Sequence, residues 1–307
     1  MATVDGRRLE ALVRAFDRAL SALERDAIVR LDGALRYAAA NLERELRRLY
    51  VASVSDLAAN PNRLLREARA RMLLEQVRAG LDLTSGAQAN SVFNALIGDS
   101  FDLGARNALD MLSAYQSGLV SLSSNARLVV AARATQASLR LAHHGSELAL
   151  KVEELVIDGI VRGRGWGRTA AELRRETGLT RWKAEQLVRT ESVSASAASR
   201  TDTFRSNGVE AEQVLCTMDD RLCAWCASRA GRAYKLGEIE LPFHPNCRCT
   251  TIPYRPEWRE LGLTDDDWMT EHRRASLARA DGPPKTGPTP WERQRGLTKA
   301  PEPIWSP

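Results

Sequence analysis

The residues with the greatest capacity for chemistry are crowded into one short stretch. All five cysteines lie between Cys216 and Cys249, four of them in the runs CAWC and FHPNCRC. Cys223 and Cys226 have the spacing of a knuckle, in which a tight turn brings two sulfurs to one side. His244, Cys247 and Cys249 return from a second arm after a short hydrophilic interval. Two such arms make a tetrahedral nitrogen and sulfur site of the structural zinc type. Five donors compete for four positions. Cys223, Cys226 and Cys247 fill three, and the fourth falls to His244 if the Pro245 turn folds the imidazole inward. It falls to Cys249 if a final strand presents Cys247 and Cys249 on one face. Cys216, on the segment before the knuckle, reads as a small buried residue.

Catalytic uses of such residues fit less well. A zinc deaminase places His-x-Glu before Pro-Cys-x-x-Cys, with the Glu moving protons; here the order is reversed and Asn246 stands where the Glu is needed. A His-Asn-His nuclease requires a second histidine. A thioredoxin-like Cys-x-x-Cys sits in a strand-helix-strand unit, which the flanking sequence does not provide. Four protein ligands also leave no open coordination position for water. The expectation is a structural Zn2+, no catalytic residue, no small-molecule substrate, and a protein that is not an enzyme.

Composition supports a protein with its own apolar core. The chain has 307 residues with 44% hydrophobic and 27% charged side chains, enough for two domains. Its N-terminus is charged early and lacks an apolar leader core, and no later run approaches membrane-spanning length. Cysteines of a chain kept in a reducing cytoplasm serve as metal ligands more readily than as disulfides. The net charge of +5 permits nucleic-acid contact without arguing for it, because Arg residues alternate with Glu and Asp as on solvated helix faces.

The elements that must position the cluster are read from periodicity. Leu9, Leu12, Val13, Phe16, Leu20, Leu23 and Ala27 recur at three- and four-residue steps, giving an amphipathic helix or helix pair. Asn60 and Pro61 start a further helix that stops at Gly80. Helices are also expected in SVFNALIGDSFDLGARNALDMLSAYQ and in the segment from Asn125 to Gly163. Within the latter, His143 and His144 point about 100° apart and cannot easily clasp one ion, so they read as surface. Gly163, Gly165 and Gly167 then break the pattern. Thr169 caps a short helix ended by Gly178, and Thr180 caps a second helix toward Arg200, with Trp182, Leu187, Val188 and Val193 facing inward. This string has the form of a helix-turn-helix. EQVLCT, GRAYKL and CRCTTIPY read as short antiparallel strands. The closing segment, with its dense Pro and Gly, reads as extended unless bound, and Trp291 and Trp305 are its aromatic anchors.

Several of these features together resemble the phage Mu F-like minor head proteins, also called head morphogenesis proteins. They are Arg189-Thr190-Glu191 late in a helix, the Gly208-Val209 pair, Thr217 and Asp219 before the knuckle, Gly231 after it, and His244-Pro245-Asn246-Cys247-Arg248-Cys249 before a β-run. The resemblance covers Leu155 to Tyr254. It implies a virion protein of a tailed phage, present at the portal vertex or capsid interior and in the host cytoplasm during assembly. Its implied partners are the portal protein and other capsid components, with non-specific double-stranded DNA as a further partner during packaging or ejection. Arg189, Glu191 and Asp219 take structural supporting roles on this reading.

The expected organisation is a mainly α N-terminal half with a smaller α+β, zinc-stapled C-terminal domain. Residues 1–150 form the elongated helical assembly region, 151–256 the Mu F-like domain and 257–307 the extended Pro-rich tail. The alternative is a DNA-binding regulator or recombination accessory protein built on the helix-turn-helix and a zinc ribbon. The helix from Arg181 offers it only Arg181, Lys183 and Arg189 against Glu185 and Glu191, a poor electrostatic footprint.

Overall fold

The structure, a computed structural model, describes residues 6–59, 91–115, 166–219 and 222–307, and also 136–137, 139–140, 143–144, 146–152, 154–155 and 158. The helix expected from Asn60 to Gly80 lies outside these residues. So do Gly163 and Gly165.

Helix α1 (Gly6–Ala59) is a single element of 54 residues, which resolves the choice between one helix and a pair. It contains no proline; its only interior glycine, Gly33, has nothing near the place of its missing side chain and costs the helix about 1 kcal/mol. Helix α2 covers residues 91–115, as its periodicity predicts. The described residues between 136 and 158 are helical too.

Helix α3 (Trp166–Ser206) runs through 41 residues without interruption. This overturns the helix-turn-helix. Gly178 lies inside the helix, and Thr169 sits buried within it rather than at a cap. A lone glycine costs an exposed helix about 1 kcal/mol, which the surrounding turns of α3 absorb. Leu187, Val188 and Val193 are buried as expected, but Trp182 is 56% exposed. Without the turn, no separate recognition helix exists in this segment, and the DNA-binding regulator loses its basis.

From Thr190 to Arg200 the same helix is buried on almost every side. Its residues there are Thr, Glu, Ser, Val, Ser, Ala, Ser, Ala, Ala, Ser and Arg, small enough for neighbours to approach closely. The tightest approach is that of α2, where a β-carbon added at Gly104 would meet the backbone oxygen of Ser196 at 2.3 Å. Gly104→Ala is therefore expected to destabilise the protein by about 1–3 kcal/mol through overpacking, as read by chemical denaturation. A neutral effect would show that α2 can move away freely.

The sheet has three antiparallel strands in the order β2-β1-β3, with β1 at Ala211–Leu215, β2 at Ala233–Lys235 and β3 at Thr250–Tyr254. All three coincide with the expected β-forming runs. Every residue of β1 and β3 is buried, so both faces of these strands are covered, unlike a half-solvated hairpin. Between the strands, α4 (Ala224–Arg229) forms one short turn of helix.

Residues 257–307 are not an extended tail. After α5 (Pro256–Glu260), α6 (Asp266–Arg279) is a 14-residue helix, and α7 (Pro290–Gln294) follows. Asp265 caps α6 by accepting from Trp268 N at 2.9 Å, and its other oxygen accepts from Gly6 N at 3.1 Å. Thr289 and Glu292 form a reciprocal capping box on α7. Buried side chains supply what the Pro-rich composition concealed: Trp258, Leu263 and Met269 join Leu9, Met111, Leu112 and Phe204 in one apolar cluster. The chain end pairs with β2, Trp305 O accepting from Ala233 N at 2.9 Å. Trp305 also stacks on Tyr254.

By compactness the chain divides into a unit of Met1–Arg25, Ala95–Arg133 and Val188–Pro307, and a unit of Asp26–Asn94 and Ala134–Leu187. The sheet and all five cysteines belong to the first. Among the described residues, no helix is long and apolar enough to cross a membrane.

Candidate metal centre

Two arms carry the cluster. On the first, Cys223 is the N-cap of α4 and accepts from Cys226 N at 3.4 Å. This fixes the knuckle: the cap holds one sulfur over the first turn while the residue three positions on brings the second to the same side. On the second arm, residues 244–249 form an irregular turn ahead of β3. Cys247 and Cys249 thus precede the strand instead of lying on it. The turn closes through Asn246, which has a left-handed φ of 63°, a conformation its short polar side chain tolerates. Asn246 N donates to Thr190 Oγ1 on α3 at 3.4 Å.

The donors converge. His244 Nε2 lies 3.2 Å from Cys223 Sγ and 3.1 Å from Cys226 Sγ, and Cys226 Sγ lies 3.7 Å from Cys247 Sγ. Bond lengths of about 2.3 Å to sulfur and 2.0–2.1 Å to nitrogen set donor separations of about 3.5–3.8 Å around a tetrahedral zinc. These three separations are within about half an ångström of that range, while the donors as a whole fall in two overlapping triads rather than one group of four. His244 Nδ1 donates to Pro245 O at 2.8 Å, which selects the tautomer whose Nε2 lone pair faces the sulfurs. Two triads can be drawn with every donor atom within 4.8 Å of the others: Cys223, Cys226 and His244, and Cys226, Cys247 and Cys249. Cys226 belongs to both.

Proton affinities reflect the crowding. Hydrogen bonding from Cys226, reinforced by His244, pulls the Cys223 thiol down to about 4. Burial opposes charge on His244, yet Cys223 and Cys247 outweigh it and lift the imidazole to about 9. Cys247 is buried, but hydrogen bonds from Cys226 and Cys249 carry it well below the ordinary thiol value. Cys226 is pushed up by its bonds to Cys223 and Cys247, and Cys249 by its bonds to Cys216, Cys226 and Cys247. Neighbouring sulfurs thus share protons that a bound dication displaces.

The supporting residues are placed unevenly. Asp219 faces Arg248 of the second arm at 3.8 Å. Glu191 is buried in α3 and Arg189 is half-buried, and Thr190 between them meets the turn through its hydroxyl. Thr217 Oγ1 lies 2.7 Å from Arg248 O and 3.1 Å from Asp17 Oδ2, linking β1, the second arm and α1.

Other buried polar residues escaped the sequence reading. Arg200 is 1% exposed, stacks over Phe16 at 4.6 Å and is lowered to about 10 by desolvation. Ser192 donates to the buried Glu24 at 2.7 Å. Arg229 pairs with Glu292 at 2.9 Å. His272 Nε2 accepts from Cys216 N at 3.2 Å, and burial lowers this imidazole to about 4, keeping it neutral. Only the small-residue run after Glu191 gave a usable signal, since a helix without a polar face is a buried one.

Residues 150–252, about a third of the chain, match the family described as Phage Mu protein F like protein. The match covers the whole of α3, the sheet through Ile252 and both arms of the cluster. No curated protein and no solved structure matches the chain.

Proposed function

We propose that the protein is a minor head morphogenesis component of a tailed phage, in which a structural Zn2+ holds the sheet-bearing unit together. The observation that carries this reading is the match of residues 150–252 to the Phage Mu F-like family, which takes in a cluster better suited to holding an ion than to turning over a substrate. The ligands are Cys223, Cys226, His244 and Cys247. His244 takes the fourth place over Cys249 because its Nε2 touches two of the other donors while its Nδ1 is anchored. Four protein ligands close the coordination sphere, so the zinc braces the fold and takes no catalytic part; on this reading the protein has no enzymatic role.

The portal protein and other capsid components are the partners, and the protein works in the host cytoplasm during assembly and in the virion afterwards. Mass spectrometry of density-purified heads bearing a tagged copy of the chain tests this. The chain is expected to co-sediment with heads as a minor constituent and to cross-link to the portal subunit. Its absence from purified heads contradicts the proposal.

Double-stranded DNA is a further partner through scattered Arg and Lys side chains alone. Binding is expected to be indifferent to sequence and to weaken steeply with salt, as for contacts made to phosphates. Titration of unrelated duplexes over a salt series checks this; strong preference for one site contradicts it.

A further inference from the structure

Cys216 and Cys249 face each other beside the metal cluster. The β1 and β3 register pairs Leu215 with Thr250, and one more step along both segments sets Cys216 opposite Cys249. Their sulfurs are 3.5 Å apart. The adjoining register pair, Leu215 and Thr250, holds the two segments at antiparallel spacing, Cα atoms about 4.5–5.5 Å apart, inside the span of about 4.4–6.8 Å that a disulfide bridges. Cys216 belongs to neither donor triad.

We propose that Cys216 and Cys249, just beyond the paired ends of β1 and β3, are a dithiol that closes to a disulfide in an oxidising medium while the zinc stays in place. This rests on the ligand set of Cys223, Cys226, His244 and Cys247, which leaves Cys249 free. The oxidant is a small external disulfide of the glutathione class. One cysteine, as thiolate, attacks it, forming a mixed disulfide and releasing one small thiolate. The second cysteine then displaces the other small thiol. Two protein thiols are oxidised by two electrons, one external disulfide is reduced to two thiols, and the two protons pass to those thiols. Both cysteines are 5% exposed, so exchange requires opening at the end of β1 and is slow. A chain assembled in a reducing compartment thereby gains a covalent tie between β1 and β3 when it leaves that compartment.

The test equilibrates the zinc-loaded full chain with glutathione disulfide, maps disulfides in unreduced digests and follows free zinc with a chromophoric chelator. One intramolecular disulfide, Cys216 to Cys249, is expected, with zinc retained. Cys216→Ser should retain zinc and form no internal disulfide. Cys249→Ser should also retain zinc. Retained zinc with all five thiols still reduced overturns the dithiol and leaves the ligand set standing. A disulfide through Cys223, Cys226 or Cys247, accompanied by zinc release, overturns the dithiol as well. Loss of zinc in Cys249→Ser overturns the ligand set itself, and the dithiol with it.

Discussion

Cys226→Ser is expected to lose its metal and to unfold the sheet-bearing unit. Cys226 is the one residue shared by both donor triads, so its loss leaves neither triad intact. A structural zinc contributes on the order of 10 kcal/mol of folding free energy, comparable to the whole stability of an ordinary domain. The sheet has only three short strands, so its order depends on what packs against it. Limited proteolysis should cut within residues 211–254 at least tenfold faster than in the parent chain. Far-ultraviolet circular dichroism should keep much of its helical signal, because Ala170, Leu173 and Ala184 in the other unit are buried without any contribution from the cysteines. Cys216→Ser serves as control and should keep both metal and protease resistance. Equal resistance of Cys226→Ser and the parent would mean that the sheet stands without the ion.

The second large effect concerns the segment after Tyr254. Arg229 on α4 donates to Glu292 at 2.9 Å and to Gly287 O at 3.0 Å, and lies over Phe243 at 4.5 Å. Both charged side chains are under a tenth exposed. Thr289 Oγ1 adds a bond to Phe243 O at 2.6 Å. Removing one partner of a buried pair leaves the other charge uncompensated and costs about 3–5 kcal/mol. Arg229→Met is expected to cost that much in chemical denaturation and to open residues 282–297 to protease. Arg229→Met with Glu292→Gln should recover a large part of the loss, because no lone carboxylate remains. A single-mutant cost below about 1 kcal/mol, or no recovery in the double mutant, contradicts the view that this pair pins the C-terminal segment.

What could be read in the sequence depended on how local its physics is. The strands were legible because Val214, Leu215, Ile252 and Tyr254 are β-formers bounded by turn residues, and the knuckle because a two-residue gap between cysteines has few other uses. The uninterrupted course of α3 was not legible. Gly178 and Thr180 carry the local chemistry of a helix stop and start, and only the fold around them selects continuation. The C-terminal segment misled for the opposite reason. Its prolines mark turns and first helical positions, as Pro256 and Pro290 do. Its order comes from Trp258, Trp305 and the Arg229 pair, whose partners are distant in sequence. Arg200 was illegible because a single arginine says nothing of burial, whereas the Ser and Ala run preceding it could have marked the helix as central.

The measurement that tests the account most directly is zinc K-edge X-ray absorption on the purified chain, paired with elemental analysis. About one zinc per chain is expected, with three sulfur ligands at about 2.3 Å and one nitrogen at about 2.0–2.1 Å, the nitrogen lost in His244→Ala. A folded chain without metal contradicts the account, and so does a shell of four sulfurs, which would seat Cys249 where His244 is placed here.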